Sequence, residues 1–228
     1  MEAAALADIA RRRSRTYWLL SRLVLESPTC ASLSELGAAL GEATLSAEAP
    51  LGEETLALRD AVRATGVDED SLMILDVERT RLLAGLSRSY GAAPPYESVF
   101  REDKLPGEAT IAVAEAYAQA GFDPPAPEAG PADHLGSELR FLGLLCHRES
   151  EAWRAGERDA ALAGVERERA FLDDHVLKWV PEHCERLLAL AESPYHRAMF
   201  TLIGRACLID RDDVAELPLY GARSVDEG

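Results

Sequence analysis

Three features of the sequence predict an all-α fold: a helix-favouring composition, few β-branched residues, and apolar residues at helical spacing. Ala, Leu, Arg and Glu dominate the 228 residues, whereas only 6% are aromatic. Apolar side chains recur at steps of three, four and seven residues, which is the period of an amphipathic helix. We therefore predict a single bundle-like domain of about nine or ten helices.

Prolines, glycines and capping side chains divide the chain into these helices. Pro28 follows the end of the first helix, Asp68 opens the fourth, and Pro181 is expected to break the seventh. Pro194 fits the first turn of the last helix. The predicted helices cover residues 3–26, 32–43, 53–65, 68–89, 108–121, 134–155, 159–179, 182–193 and 194–208.

The best candidate for a hinge is the segment 122–132, which contains four prolines. It would separate an N-terminal half, residues 1–121, from a C-terminal half, residues 133–210. An acidic tail, residues 211–228, would follow, and its end is expected to fray.

The helix predicted to begin at His134 carries a wide apolar face that leaves little of its surface for water, so we interpret it as the central core helix. Asp133 is expected to cap it. An acid, an imidazole and a second acid would then crowd its N-terminal end, as Asp133, His134 and Glu138. Their simplest interpretation is structural, with the two carboxyl groups satisfying a partly buried imidazole.

An arginine cluster occupies residues 11–15 of the first helix. Arg13 shares a side with Ile9 and Tyr17, whose spacing marks the buried face. Arginine runs on helices are nevertheless more often solvated than used for binding, so we expect the cluster to be exposed.

The charge balance excludes several classes of partner. The chain has 24 Lys and Arg against 40 Asp and Glu, a formal charge of −16, which disfavours nucleic acid and anionic lipid and favours basic partners. Its four cysteines lie far apart without a CxxC pair, as expected for reduced thiols without zinc. No cleavable signal or transmembrane stretch is predicted, so a cytoplasmic location is expected.

Motifs of catalysis and cofactor binding do not occur. The sequence has no P-loop, GxGxxG, HExxH, Glu-x-x-His or GxSxG pattern, so we predict neither an enzyme nor a resident cofactor or metal.

Between residues 90 and 106 glycine and proline predict a non-helical loop in which Pro94-Pro95 fixes an extended backbone. This loop could display Tyr96, Glu97 and Ser98 to a partner, or pack against the core and cap a neighbouring helix.

Two blocks of sequence carry a family resemblance. Asp133-His134, Glu138-Leu139 and Phe141 resemble the signature helix of the TorD/DmsD/NarJ family of redox-enzyme maturation chaperones. The loop of residues 90–100, with Pro-Pro-Tyr-Glu-Ser-Val-Phe at its end, is similar to that family's conserved loop. The resemblance implies a TorD-like cytoplasmic chaperone that makes and breaks no bond. Its partner would be the apo catalytic subunit of a molybdoenzyme of the dimethyl-sulfoxide-reductase family.

The resemblance also implies how such a chaperone acts. It would bind the subunit, often through its twin-arginine signal peptide, assist insertion of the molybdenum cofactor, and delay export. A hydrophobic groove beside the central helix would take the apolar part of the peptide, while Asp133, Glu138 and Glu97 attract its arginines. Tyr96 and His134 would line the same site, and Ser98 would orient the loop. A homodimer formed by domain swapping through the hinge is a further implication.

Three alternatives stay open. The first is an assembly chaperone of the nitrate-reductase type, whose client is not exported. The second is a helical metal-dependent enzyme that uses Asp133, His134 and Glu138 as ligands or as an acid–base pair. The third is a plain helical scaffold. The departure from the family pattern is Ala132, which separates Pro131 from Asp133.

Overall fold

The structure is a computed structural model that describes residues 2–42, 49–66, 68–84, 92–123 and 130–223. Within these ranges it contains ten α-helices and one turn of 3-10 helix, Val176–Lys178, and its only β-type pairing is an isolated bridge. The all-α prediction is confirmed. The helices are α1 (Ala3–Leu25), α2 (Cys30–Glu42), α3 (Gly52–Ala64), α4 (Glu69–Leu83), α5 (Glu97–Glu102), α6 (Glu108–Gln119), α7 (Leu135–Ala155), α8 (Arg158–Asp174), α9 (Val180–Leu190) and α10 (Pro194–Arg223).

The chain forms two compact units, each assembled from separate segments. The first unit comprises Met1–Arg22, Tyr96–Trp179 and Cys207–Gly228, and the second comprises Leu23–Pro95 and Val180–Ala206. Residues 124–129 of the predicted hinge lie outside the described residues. The hinge, the two halves on either side of it and the swapped dimer therefore stay predictions.

Helix α7 is the buried centre of the first unit, as its sequence predicts. Leu135, Leu139 and Leu142 have no exposed surface. Phe141 packs against the rings of Tyr117 on α6 and Phe171 on α8, with ring centroids 4.3 and 4.7 Å away. Burial of these apolar side chains supplies the main stabilisation of the unit.

A buried ionic cluster also lies in the first unit, around Arg13. Its guanidinium contacts Glu149 at 2.9 Å, Glu168 at 2.6 Å and Asp210 at 2.5 Å, and Tyr17 donates its hydroxyl to Asp210 at 2.7 Å. The expectation that the whole arginine cluster is solvated was wrong at Arg13, because Arg13 faces inward with the apolar stripe and three carboxylates compensate its charge. Burial, which the positive charge of Arg13 only partly opposes, raises the pKa of Glu168 to about 8.

Several helix boundaries differ from those predicted. The loop of residues 90–106 contains the short helix α5, and the helix predicted to reach residue 179 ends at Asp174. Pro181 lies in the first turn of α9, where a missing N–H costs nothing, instead of breaking a helix. Helix α10 continues past residue 208 because Asp210 and Val214 on its later turns are buried.

In the second unit a single carboxylate organises a helix start. Glu78 on α4 accepts the backbone N–H groups of Glu192 at 2.5 Å and Ser193 at 3.0 Å, just before α10 begins, and lies 3.2 Å from Nδ1 of His196. These N–H groups would otherwise lack partners at the helix end.

Among the described helices, none combines the length and the apolar composition of a membrane-spanning segment.

Candidate functional site

The two sequence motifs meet in the first unit, where the chain entering α5 lies against the chain entering α7. Tyr96 and His134 form an isolated antiparallel bridge, and the Glu97 N–H donates to the carbonyl of Asp133 at 3.0 Å. The Ser98 N–H donates to Oδ2 of Asp133 at 2.9 Å. We call the contact between residues 96–98 and residues 133–134 the junction.

The junction corrects the predicted role of Asp133. This carboxylate was expected to cap the helix that follows it in sequence, and it caps α5 instead through Ser98. His134 is the N-cap of α7, because its Nδ1 accepts the N–H of Gly136 at 3.1 Å. Tyr96, the N-cap residue of α5, supplies no side-chain cap. The short helix therefore depends on a carboxylate from the other motif.

Three of the predicted site residues are acids, Glu97, Asp133 and Glu138, and all three are completely buried. Glu97 pairs through Oε1 with Arg101 and lies 3.0 Å through Oε2 from Nδ1 of His175. Oε2 of Glu138 accepts Nε1–H of Trp179 at 3.1 Å. Direct contact between these carboxylates and the arginines of a partner would require the junction to open, so that role stays a prediction.

Burial governs the ionisation of Glu138. Loss of hydration raises its pKa well above the ordinary value, and the nearby charge of Glu97 raises it further, while the hydrogen bond from Trp179 lowers it. Burial therefore favours the neutral form of the Glu138 carboxyl group over the charged form.

Tyr96 and His134 form the part of the junction that reaches the surface. Both side chains are partly exposed, and their rings meet edge to face with centroids 5.0 Å apart. Burial and the charge of Asp133 raise the pKa of Tyr96, so its hydroxyl stays protonated. Gly130, with φ of 83°, passes beside this hydroxyl in a backbone conformation that L side chains rarely adopt. The pair offers aromatic surface and hydrogen-bonding groups to a partner.

Ser98 is buried, and its predicted role of orienting the loop stays a prediction. Its Oγ accepts the hydroxyl of Thr110 at 3.2 Å, while the Tyr117 hydroxyl donates to the carbonyl of Ala132 at 3.0 Å. Sequence reasoning missed Thr110, His175 and Trp179 as partners of the predicted site residues. Their partners lie 12 to 78 positions away in sequence, so no local pattern marks them.

A groove lies beside α7, and the predicted binding of a peptide there stays a prediction. It has a volume of about 270 Å³ and is lined by side chains of α6, α7, α8 and the residue that follows α8. Phe141 and Phe171 form part of its apolar wall, and His175 connects its lining to Glu97. Among the described residues, no group of three His, Cys, Asp or Glu side chains is placed to hold a metal ion.

The helical fold and the meeting of the two motifs agree with the redox-enzyme maturation class that the sequence resembles. The chain belongs to the nitrate reductase delta subunit family, whose model matches residues 44–185, more than half of its length. The predicted family assignment is confirmed.

Individual relatives agree with this assignment. The chaperone protein TorD of Photobacterium profundum is 25% identical over 211 residues, covering 87% of this chain and 92% of the relative. The chaperone protein TorD of one strain of Vibrio vulnificus is 26% identical over 206 residues, covering 88% and 94%. These relatives are named as chaperones, in agreement with the prediction of a non-enzyme.

A solved structure is also similar, although too weakly to add to the assignment. It is the crystal structure of a candidate redox enzyme maturation protein from Archaeoglobus fulgidus. It is 24% identical with a TM-score of 0.41, covering 70% of this chain and 90% of that one.

Proposed function

We propose that this protein is a cytoplasmic, system-specific chaperone for a molybdoenzyme of the dimethyl-sulfoxide-reductase family. It binds the apo catalytic subunit, engages the twin-arginine signal peptide, and holds the subunit until the molybdenum cofactor is inserted. The observation that carries the proposal is that the two family motifs meet at the junction, with Tyr96 and His134 at its surface. Family membership and the TorD relatives support the class of client.

Binding at the junction combines aromatic contact with charge attraction. Tyr96 and His134 contact the peptide backbone and side chains, while the groove beside α7 receives its apolar segment. The net charge of −16 draws the arginines toward the protein from a distance. Glu97, Asp133 and Glu138 are buried, so they act chiefly by holding the surrounding backbone and side chains in position.

The chaperone delays export because it occupies the signal peptide of the client. A signal peptide held on the chaperone is not available to the export machinery, and release after cofactor insertion ends the delay. The chaperone needs only a difference in affinity between the apo and the mature subunit, because no covalent step is involved.

A titration tests this proposal. The probe is a synthetic peptide with the signal sequence of a molybdoenzyme encoded in the same genome, compared with the same peptide carrying Lys-Lys in place of Arg-Arg. We expect Tyr96→Ala and His134→Ala to weaken binding of the twin-arginine peptide about tenfold or more. The matched control is His147→Ala, which removes an exposed imidazole from the same helix α7. Equal affinity for both peptides, or an equal loss in the control, would contradict the proposal.

The family match supports a second candidate. The matching model is that of the nitrate reductase delta subunit, so the client could be a nitrate-reductase catalytic subunit without an exported signal. Such a chaperone would bind the N-terminal segment of that subunit through the junction. Tighter binding of this segment than of any twin-arginine peptide would favour the second candidate over the first.

A further inference from the structure

An apolar surface that the junction does not use lies on α4, in the second unit. Met73, Ile74 and Val77 are 59, 63 and 65% exposed, and their spacing places them on one side of the helix. We call these three residues the α4 face. Leu75 and Leu82 on the opposite side are buried in the unit, so the core of the second unit does not account for the α4 face.

The α4 face forms one wall of a groove of about 440 Å³. The rest of the groove is formed by polar side chains of α4 and by the residues that precede α10: Glu78, Arg81, Glu192 and Ser193. A groove with an apolar wall and a polar rim is the form that receives an amphipathic helix. Contiguous exposed apolar surface of this kind marks interaction sites in soluble proteins.

The rim of the groove is acidic. Two of the charged side chains that line it are acids, Glu78 and Glu192, and one is a base, Arg81. Glu192 is 82% exposed. Asp70 and Asp76 are exposed on α4 outside this lining. Arg81 lies 3.1 Å from Glu192 and 3.8 Å from Glu78, so one cation faces two carboxylates and the charge of the lining remains negative. The other arginine of α4, Arg79, donates to the carbonyls of Val24 and Leu25. The partner that complements this groove therefore carries positive charge beside an apolar stripe.

We propose that the α4 face binds a basic amphipathic helix of the client protein, as a second contact separate from the junction. The identification of the owner of that helix as the client rests on the proposed function. The charge of −16 on every copy of the chain disfavours a second copy as the occupant. The arrangement gives the chaperone two sites on one client, which strengthens binding through effective concentration.

The probe is a synthetic, fluorescein-labelled helix about 16 residues long, with leucines at helical spacing, flanking lysines and no Arg-Arg pair. Fluorescence anisotropy measures its binding to the full chain. We expect Ile74→Gln/Val77→Gln to weaken binding at least tenfold, because Gln keeps the helix but removes the apolar contacts. Glu192→Gln should weaken binding two- to threefold at low salt and reduce the salt dependence. The matched control is Ile111→Gln, whose side chain is 62% exposed on α6.

Two comparison peptides decide the character of the site. A peptide of the same composition with its leucines dispersed, and one with glutamates in place of lysines, should both bind at least tenfold more weakly. Equal binding of either one, or unchanged binding by the α4-face variant, would overturn the inference. Sedimentation could also overturn it. If the wild-type protein is a dimer and the Ile74→Gln/Val77→Gln variant is a monomer, the occupant of the α4 face is a second copy of the chain.

The twin-arginine titration separates the two proposals. The α4-face variant should retain its affinity for the twin-arginine peptide, and His134→Ala should retain its affinity for the designed helix. Loss of the designed helix alone in the α4-face variant supports the inference. Failure of the twin-arginine peptide to bind, with the designed helix still bound at the α4 face, would remove the proposed function and leave this surface intact.

Discussion

The carboxylate of Asp133 accepts the backbone N–H of Ser98 at 2.9 Å, so one family motif caps the short helix of the other. Neither motif holds this conformation alone. Helix α5 has only six residues and no side-chain cap from Tyr96, its own N-cap residue. The orientation of Tyr96 toward His134 therefore depends on Asp133.

Replacement of Asp133 tests this dependence. Asp133→Ala should lower the free energy of unfolding by about 1–2 kcal/mol, because a buried N–H loses its partner. Asp133→Asn keeps an oxygen acceptor and should lose less. Urea unfolding of the two variants measures the difference. If Asp133→Ala is as stable as wild type, Ser98 has found another partner and the junction does not depend on Asp133.

Arg13 should be far more important for stability than its neighbour Arg12. Arg13→Met leaves Glu149, Glu168 and Asp210 buried without their cation and should cost about 3–5 kcal/mol. Arg12→Met, at an exposed position of the same helix, is the matched control and should change little. Thermal or urea unfolding distinguishes them. Equal stability of the two variants would contradict the buried ionic cluster.

Glu138→Gln should make stability less dependent on pH. Because the pKa of Glu138 is raised in the folded state, the native protein holds a proton that the unfolded chain releases above roughly pH 4.3. Stability from this group is therefore present at low pH and falls as the pH rises. Glutamine has no proton to lose and still offers Trp179 an oxygen acceptor.

Urea unfolding at about pH 5 and about pH 8 measures this effect. The stability of Glu138→Gln relative to wild type should increase between the two values. Glu138→Ala provides the comparison for lost packing, since it removes the acceptor of Trp179 and should be destabilised by about 2 kcal/mol at low pH. Parallel pH profiles for Glu138→Gln and wild type would show that Glu138 is charged in the folded protein.

The spacing of apolar residues along the sequence predicted the helices and the central position of α7. Local capping rules misplaced the cap of Asp133, since an acid before a helix can serve any N-terminus within reach. Nothing in the sequence indicates that the carboxylate of Asp133 accepts the N–H of Ser98 instead of an N–H at the start of α7. Helix α5 was missed for the same reason, because its cap lies 35 positions away.

Arg13 shows two sequence signals in conflict. Its spacing with Ile9 and Tyr17 placed it on the buried face, whereas its membership of an arginine run predicted solvent. The spacing was the better guide because Glu149, Glu168 and Asp210 lie within reach only in the folded unit. Partners so distant in sequence leave no local pattern.

Reconstitution of the client measures the central claim most directly. The apo catalytic subunit of the client is produced with wild-type chaperone, with Tyr96→Ala/His134→Ala, or without chaperone, and its molybdenum content is determined after purification. We expect wild type to raise the fraction of cofactor-loaded subunit several-fold over the other two. Equal loading in all three preparations would contradict the assignment of this protein as a maturation chaperone that acts through the junction.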